Sequence, residues 1–385
     1  MSQSKTILIV IGHYLPGTKS GGILRSVENM VNLLGNKYKF KIITRDKDVN
    51  SSKPYKNIIY KEWNMVGSSE ILYLSDRDLN YNNLIKIINN TNYDYLFINS
   101  FFDKLSIKII VGNKLNKLLN KTLIISPRGE FAWASFKLRL FRKILYVIFS
   151  RITGIYSNLI WHVSSEYEMY DLIKVMNIKK EKIKIAMDLP KIDLNRDFSN
   201  EHEKLNENSL KVIFLSRISE EKNLDIAIKI ISKVKSKIVF DIYGDVASNT
   251  YWRDCQILLK NLPDNIKTNY YGFVNNNDVL DVFSEYDLFL FPTGGENYGH
   301  VIAESISVGT KVLVSKNTPW LGLERDKIGW NFNLDQENNF INTIEKISRT
   351  SLTERLKHRR IARNSFSLRF KNSNSLADNI KVFSK

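Results

Sequence analysis

Cysteine is nearly absent: Cys255 is the single one in 385 residues. One thiol excludes an intramolecular disulfide and any cysteine-cluster zinc site. Long apolar runs are missing as well, and the best candidate, residues 144–149, is far too short to span a bilayer. The opening MSQSKTILIVIG lacks the pattern of a cleavable signal, because its short apolar run leads straight to His13 and Pro16. A cytoplasmic protein is expected. Acidic residues are scarce in the first half: residues 1–190 hold 29 Lys/Arg against 15 Asp/Glu, whereas residues 191–385 hold 28 against 25. Within a net charge of +17, this asymmetry points to an anionic partner for the first half. Lysine-rich codon usage is the bland alternative. No RNA-binding aromatic signature, zinc spacing or recognition-helix motif supports a nucleic acid as that partner.

What is present is alternation. A hydrophobic content of 43% supports real cores. Short apolar runs at 6–11, 40–44, 95–98, 123–125 and 159–163 read as buried parallel strands. A helix is expected over 22–34, and another from Ser165, where Glu168 is placed for a capping box. Residues 189–209 are polar and without period, and they read as a linker. The alternation then restarts, with strands at 210–215, 238–243, 270–271, 288–291 and 311–315 and a helix over 223–234. Two strand–helix series imply two doubly wound α/β domains with parallel sheets, which bind ligands at the carboxyl ends of their strands.

Three segments carry chemistry. In PTGGENYGHVIAES, residues 292–305, a strand turns into a helix expected from about Tyr298 to Val308. Glu296 sits in the turn and Glu304 about two helical turns further on, with the backbone N–H groups of the helix start between them. That layout suits hydroxyls at both ends and phosphates in the middle, as in a nucleotide sugar. Both glutamates read otherwise as a solvated loop residue and a helix-face residue. In FLSRISEEKNL, residues 214–224, Arg217 and Lys222 follow a strand and precede a helix. Together they suit a leaving diphosphate. In GHYLPGTKSGG, residues 12–22, glycines allow close backbone approach ahead of a helix bearing Arg25. This loop fits neither Gly-x-Gly-x-x-Gly nor the P-loop, so neither NAD nor ATP is favoured. His13, His162 and His300 each read alternatively as structural hydrogen-bonding residues.

With these segments assembled, the chain resembles a retaining glycosyltransferase of family four. The residues that carry the resemblance are Ser216-Arg217, Lys222-Asn223, Tyr243-Gly244-Asp245, the run from Tyr271 to Val274 and the run from Glu296 to Glu304. Ser126 to Gly129, Thr318-Pro319-Trp320 and Gly329-Trp330 are similar to a subgroup that builds bacterial surface polysaccharides.

The resemblance implies the GT-B fold, two Rossmann-like domains facing a central cleft. The expected division is 1–190 on the acceptor side, a linker at 191–209, 210–365 for the nucleotide sugar, and a C-terminal helix in 366–385 that packs back on the first domain. It implies that Glu296 binds donor-sugar hydroxyls and Glu304 the ribose. Asn297, Tyr298 and Gly299 lie against sugar and phosphate, with His300 close by. Arg217 and Lys222 form the diphosphate clamp, Gly21 and Gly22 face the diphosphate, and Gly244, Phe273 and Val274 belong to the nucleotide site. His13, Lys19, Arg25 and His162 fall on the acceptor side. Where many relatives carry a histidine, this chain has Pro127-Arg128-Gly129-Glu130, making Arg128 and Glu130 the candidates for handling the acceptor proton.

No cofactor and no metal are implied. A UDP- or GDP-sugar serves as co-substrate, transfer retains configuration, and the acceptor is a lipid-linked, polyprenyl-diphosphate oligosaccharide for O-antigen, capsule or exopolysaccharide. The basic first domain would rest on the inner face of the cytoplasmic membrane. Residues 136–151 mix basic and apolar side chains, and read either as a membrane-surface helix or as a buried helix with a basic rim. Two rivals stay open: a GT-B epimerase or hydrolase acting on the donor alone, and a basic nucleic-acid-binding protein.

Overall fold

Most of the apolar runs form strands because they are covered on both faces, the exception being the exposed Tyr270-Tyr271 on an edge strand. In the computed structural model, which describes residues 4–119, 121–136, 140–191, 205 and 207–384, Ile7 to Val10 and Leu288 to Phe291 are buried at every position. The chain divides into two compact units, Met1–Leu189 with Asn374–Lys385, and Pro190–Ser373. Most of the expected linker at 191–209 lies outside the described residues.

The first unit runs β1 (Thr6–Val10), α1 (Gly22–Leu34), β2 (Lys39–Arg45), β3 (Trp63–Val66), β4 (Ser69–Leu74), α2 (Tyr81–Asn90), β5 (Tyr95–Asn99), α3 (Lys104–Lys114), β6 (Thr122–Ser126), α4 (Trp133–Phe136), α5 (Leu140–Thr153), β7 (Ile160–Val163), α6 (Glu166–Met176) and β8 (Ile183–Ile185). Its sheet has the order β3-β4-β2-β1-β5-β6-β7-β8, parallel except for β3 against β4. Ser165 caps α6 by accepting from the Glu168 amide at 3.2 Å. The Glu168 carboxylate does not return that bond to Ser165. It accepts instead from the amide and hydroxyl of Ser164, at 2.7 and 2.9 Å, and from the Gly129 amide at 2.5 Å. Half of the capping box forms; the other half ties α6 to the loop after β6.

The second unit runs β9 (Leu210–Leu215), α7 (Leu224–Ser232), β10 (Ile238–Tyr243), α8 (Asn249–Lys260), β11 (Ile266–Gly272), α9 (Val279–Ser284), β12 (Leu288–Phe291), α10 (His300–Ser307), β13 (Lys311–Ser315), β14 (Gly329–Phe332), α11 (Glu337–Ser348) and α12 (Leu352–Asn372). All neighbours in the order β11-β10-β9-β12-β13-β14 are parallel. The order reverses between β9 and β12. Their connections leave the sheet in opposite directions, which opens a crevice at their carboxyl ends.

The last helix, α13 (Ser375–Val382), belongs to the first unit. Lys184 on β8 donates to the carbonyls of Lys381 and Ser384 at 3.0 and 2.6 Å, matching a cation to a helix C-terminus. Phe383 closes the core among the rings of Tyr38, Tyr95 and Phe97, with centroids 5.5–5.9 Å away.

Candidate active site

In the second unit, the loops leaving β9 and β12 are stitched together by backbone. Asn223 adopts the left-handed conformation, φ 56°, and its side-chain amide donates to the Pro292 carbonyl at 2.8 Å. The Gly294 amide donates to the Glu221 carbonyl at 2.8 Å, and a Cβ on Gly294 would stand 3.1 Å from that oxygen. A third support comes from β13, where the Ser315 hydroxyl donates to the Thr293 carbonyl at 2.5 Å and the Glu296 amide donates to the Asn317 carbonyl at 3.1 Å.

This scaffold brings Lys222 and Glu296, 74 positions apart, into an ion pair of 2.7 Å. Both side chains are about 15% exposed, so the pair is sheltered and only weakly screened. Arg217 leaves β9 on the same loop, but its side chain is largely exposed and pairs with Glu221 at 3.0 Å. Such an exposed pair is weak, about 0.5 kcal/mol, and leaves the guanidinium easily redirected.

Past Glu296 the chain enters α10 through Gly299, φ 81°, which serves as its N-cap without a capping side chain. A Cβ there would come within 2.9 Å of the Ile302 side chain. Asn297 is half-buried, and Tyr298 and His300 are buried with their rings 4.8 Å apart. The Trp320 indole donates to the Tyr298 carbonyl at 2.6 Å, which gives the Thr318-Pro319-Trp320 motif a role in holding this turn. Glu304 lies on the buried face of α10. Gly244 follows β10 at φ 142°, and a Cβ would stand 1.8 Å from the Ser216 carbonyl oxygen. That position needs glycine because the β9 and β10 loops touch. Phe273 is exposed and Val274 half-buried beyond β11. Beside them Tyr271 stacks on Tyr243 at 4.8 Å.

In the first unit, Asp48 gathers the glycine-rich loop. Its carboxylate accepts from the amides of Thr18 and Lys19, at 2.9 and 3.3 Å. The His13 ring is 2.8 Å from the Lys47 carbonyl through Nδ1, and Lys19 is exposed. Gly21, φ 65°, caps α1 without a side chain, next to the exposed Gly22 and the half-buried Arg25.

Deeper in the same unit, two non-glycine residues adopt positive φ at strand ends, Ser100 at 83° and Arg128 at 54°. Their side chains hold them there. The buried Arg128 guanidinium donates to Asp188 at 2.6 Å and to Asn99 at 2.9 Å. Asp188 also accepts from Ser26 on α1 at 2.8 Å. The Glu130 carboxylate accepts from the Ser100 hydroxyl at 2.6 Å and the Phe101 amide at 2.5 Å. Burial pushes the Glu130 carboxyl above its ordinary range, against the pull of these donors. The structure thus gives Arg128 and Glu130 the work of fixing strained loops at the ends of β5 and β6.

His162 is fully enclosed, with Nε2 3.0 Å from the Ala186 carbonyl and no hydrogen-bond partner on Nδ1 among the described residues. Burial, with the Arg128 charge behind it, pushes the ring down to about 4. The unfolded chain therefore binds a proton at His162 between about 4 and 6.5 that the folded chain refuses. Its contribution to stability is complete above pH 6.5 and declines as pH falls toward 4, by roughly 1.4 kcal/mol per unit. The raised carboxyls of Glu130 and Glu168 act in the opposite direction. A His162→Gln variant isolates the ring: the urea midpoint of the wild type should fall more steeply than that of the variant between pH 7 and pH 4.5.

Asp48 and Asp188 were not among the residues expected from sequence. Their partners lie far along the chain, and no local spacing marks them. Glu168 was expected only as a capping-box residue, and its bond to the Gly129 amide, 39 positions away, was not. Among the described residues, no group of three or more His, Cys, Asp or Glu side chains is placed to hold a metal ion.

Residues 195–365 match the family described as "Glycosyl transferases group 1". The chain carries a group 1 glycosyltransferase domain. That domain coincides with the second unit and contains Arg217, Lys222, Glu296 and Glu304. Structures similar over the whole chain show that the fold is GT-B. HepE of Anabaena, solved with UDP and glucose, aligns at a TM-score of 0.70 with 13% identity over 98% of both chains. Sucrose-phosphate synthase from Thermosynechococcus elongatus aligns at 0.69 with 15% identity, over 98% of this chain and 97% of its own. WaaG, a glycosyltransferase involved in lipopolysaccharide biosynthesis, aligns at 0.65 with 13% identity over 98% of both chains. By sequence, an uncharacterised 41.2 kDa protein in the cps region of Klebsiella pneumoniae is 24% identical over 239 residues, which cover 60% of this chain and 63% of that relative.

Proposed function

We propose that the protein moves a sugar from a UDP- or GDP-sugar, with retention and without a metal, to a lipid-linked polyprenyl-diphosphate oligosaccharide. The product would feed O-antigen, capsule or exopolysaccharide synthesis at the inner face of the cytoplasmic membrane. The observation that carries the reading is the sheltered Lys222–Glu296 pair, which sets a cation beside a hydroxyl acceptor at the β9/β12 switch point. HepE with UDP and glucose supports the donor class, and the cps-region relative supports the pathway.

In this reading, Glu296 accepts hydrogen bonds from the donor sugar's hydroxyls. Lys222, joined by Arg217 once it turns from Glu221, neutralises charge building on the diphosphate as its bond to the sugar breaks. The acceptor hydroxyl attacks on the face from which the diphosphate leaves, so the sugar's configuration is kept. Glu130 is held in its loop, which leaves the departing diphosphate oxygen to take the acceptor's proton. The electron pair of the broken bond stays with the diphosphate, and the new glycosidic bond uses the acceptor oxygen.

Calorimetric titration with UDP, GDP, ADP, CMP and dTDP in EDTA tests the donor site. One diphosphate should bind selectively. If none binds, the nucleotide-sugar reading falls.

A further inference from the structure

Helix α5 turns its apolar side outward. Phe141, Ile144, Leu145, Ile148, Phe149 and Ile152 recur at helical spacing and are between 39% and 81% exposed. The opposite face is the one that packs. Val147 and Ser150 are buried, Tyr146 meets the Tyr156 hydroxyl at 2.7 Å, and the Lys143 ammonium lies over the rings of Phe102 and Phe136. A buried helix with a basic rim is the arrangement the structure does not show. A helix of this length spans about 21 Å and lies along a surface rather than through it, and no helix of the described residues is long and apolar enough to cross a membrane.

The surrounding charge says what covers the stripe. From residue 131 to residue 165 the sequence holds five Lys/Arg and no Asp or Glu. Arg142 and Arg151 flank the stripe and are exposed, as are Lys179 and Lys180 after α6. An open groove of about 630 Å³ joins Ile148 and Ile152 to Arg151, Lys179 and Lys182. An apolar wall with a cationic rim matches the boundary between acyl chains and anionic headgroups. A second copy of this chain would bring like charges together along the same stripe.

We infer that α5, with the rim of Arg142, Arg151, Lys179 and Lys180, is a docking surface for an anionic phospholipid bilayer. This deepens the membrane-surface reading above and rests on it. The stripe enters the headgroup boundary, and the cations add attraction that depends on lipid charge and falls with salt.

The test is co-sedimentation of the full chain with phosphatidylcholine vesicles, with and without phosphatidylglycerol. The wild type should bind the anionic vesicles and bind neutral ones at least about tenfold more weakly. A Leu145→Glu/Ile152→Glu double variant, altered only at exposed positions, should lose anionic-vesicle binding by a similar factor while keeping its melting temperature and its nucleoside-diphosphate affinity. If the variant binds vesicles as well as the wild type, this surface is wrong and the membrane-surface reading stands. If the wild type binds no vesicle, both fall, and nucleotide binding still judges the transferase site separately. If the wild type sediments as a dimer that the variant breaks, the stripe is an interface between copies and the inference is overturned.

Discussion

Lys222→Ala is expected to lower glycosyl transfer by about 10²–10³-fold and to weaken nucleoside-diphosphate binding with it. Glu296→Gln is expected to lower transfer to a similar extent while holding or strengthening nucleoside-diphosphate binding. The contrast follows from the pair itself. Lys222 and Glu296 neutralise each other at 2.7 Å in a sheltered position. An ammonium has three donors, so Lys222 can keep Glu296 and still reach a phosphate oxygen. Removing the lysine deletes the cation and leaves a carboxylate facing an incoming anion. Replacing the glutamate by its amide deletes that repulsion and frees the ammonium, but it weakens the acceptor meant for the sugar's hydroxyls.

The two measurements separate the roles. Titration with the diphosphate alone reads the clamp, and steady-state transfer reads clamp and sugar together. If both variants lose diphosphate affinity equally, Glu296 is a structural partner of Lys222 and not a sugar ligand. If a folded Lys222→Ala protein turns over like the wild type, Lys222 is not in the clamp. The fold of each variant is checkable by circular dichroism, because the loop is also held by Asn223, Gly294 and Ser315, none of which is touched.

Much of the fold was legible because parallel strands buried on both faces are written as continuous apolar runs. The strands at 210–215, 238–243 and 288–291 stand where the runs are. Elements off that pattern escaped. Strand β3 is an edge strand, WNMV, with no buried position, so it does not read as a buried run, whereas β4 carries a buried apolar run at 71–74 that was missing from the expected strands. Helix α2 is YNNLIKIINN, whose asparagines are poor helix formers in the interior, and it is fixed by its Asn80 cap and the packing of Leu84, Ile85 and Ile88. The glycines and charges at the β9 and β12 ends were readable because close approach and ion pairing restrict residue type. The aspartates that hold the first unit's loops, Asp48 and Asp188, were not. Asp188 meets Arg128 and Ser26 from 60 and 162 positions away, and nothing near it in sequence records that.

Helix α12 is the sharpest case, and it carries the largest expected effect on stability. Its buried positions, Leu352, Arg355, Arg359, Ala362 and Phe366, form a helical stripe, but two of the five are arginines, so the hydrophobic pattern disappears. Arg359 donates to the carbonyls of Ser284, Tyr286 and Val308, closing the carboxyl ends of α9 and α10. Arg355 donates to Asp287 at 2.7 Å, with both side chains within 5% of full burial. Asp287 also accepts from the Lys211 amide at 2.9 Å and immediately precedes β12, the strand whose far end carries the Glu296 loop. Burial pushes the Asp287 carboxyl upward, and the Arg355 charge pulls it back.

Asp287→Ala is therefore expected to cost about 3–5 kcal/mol, because it strands the Arg355 guanidinium without its counter-charge. Urea unfolding of the full chain, followed by the fluorescence of Trp252, Trp320 and Trp330, reads that loss. The double variant Asp287→Leu/Arg355→Met should recover most of it, since a well-packed apolar pair replaces a buried ion pair at little net cost. Recovery would show that the single variant's loss is an uncompensated charge. A double variant as unstable as Asp287→Ala would show instead that the Lys211 amide, left without its acceptor at the start of β9, is the group that cannot be abandoned.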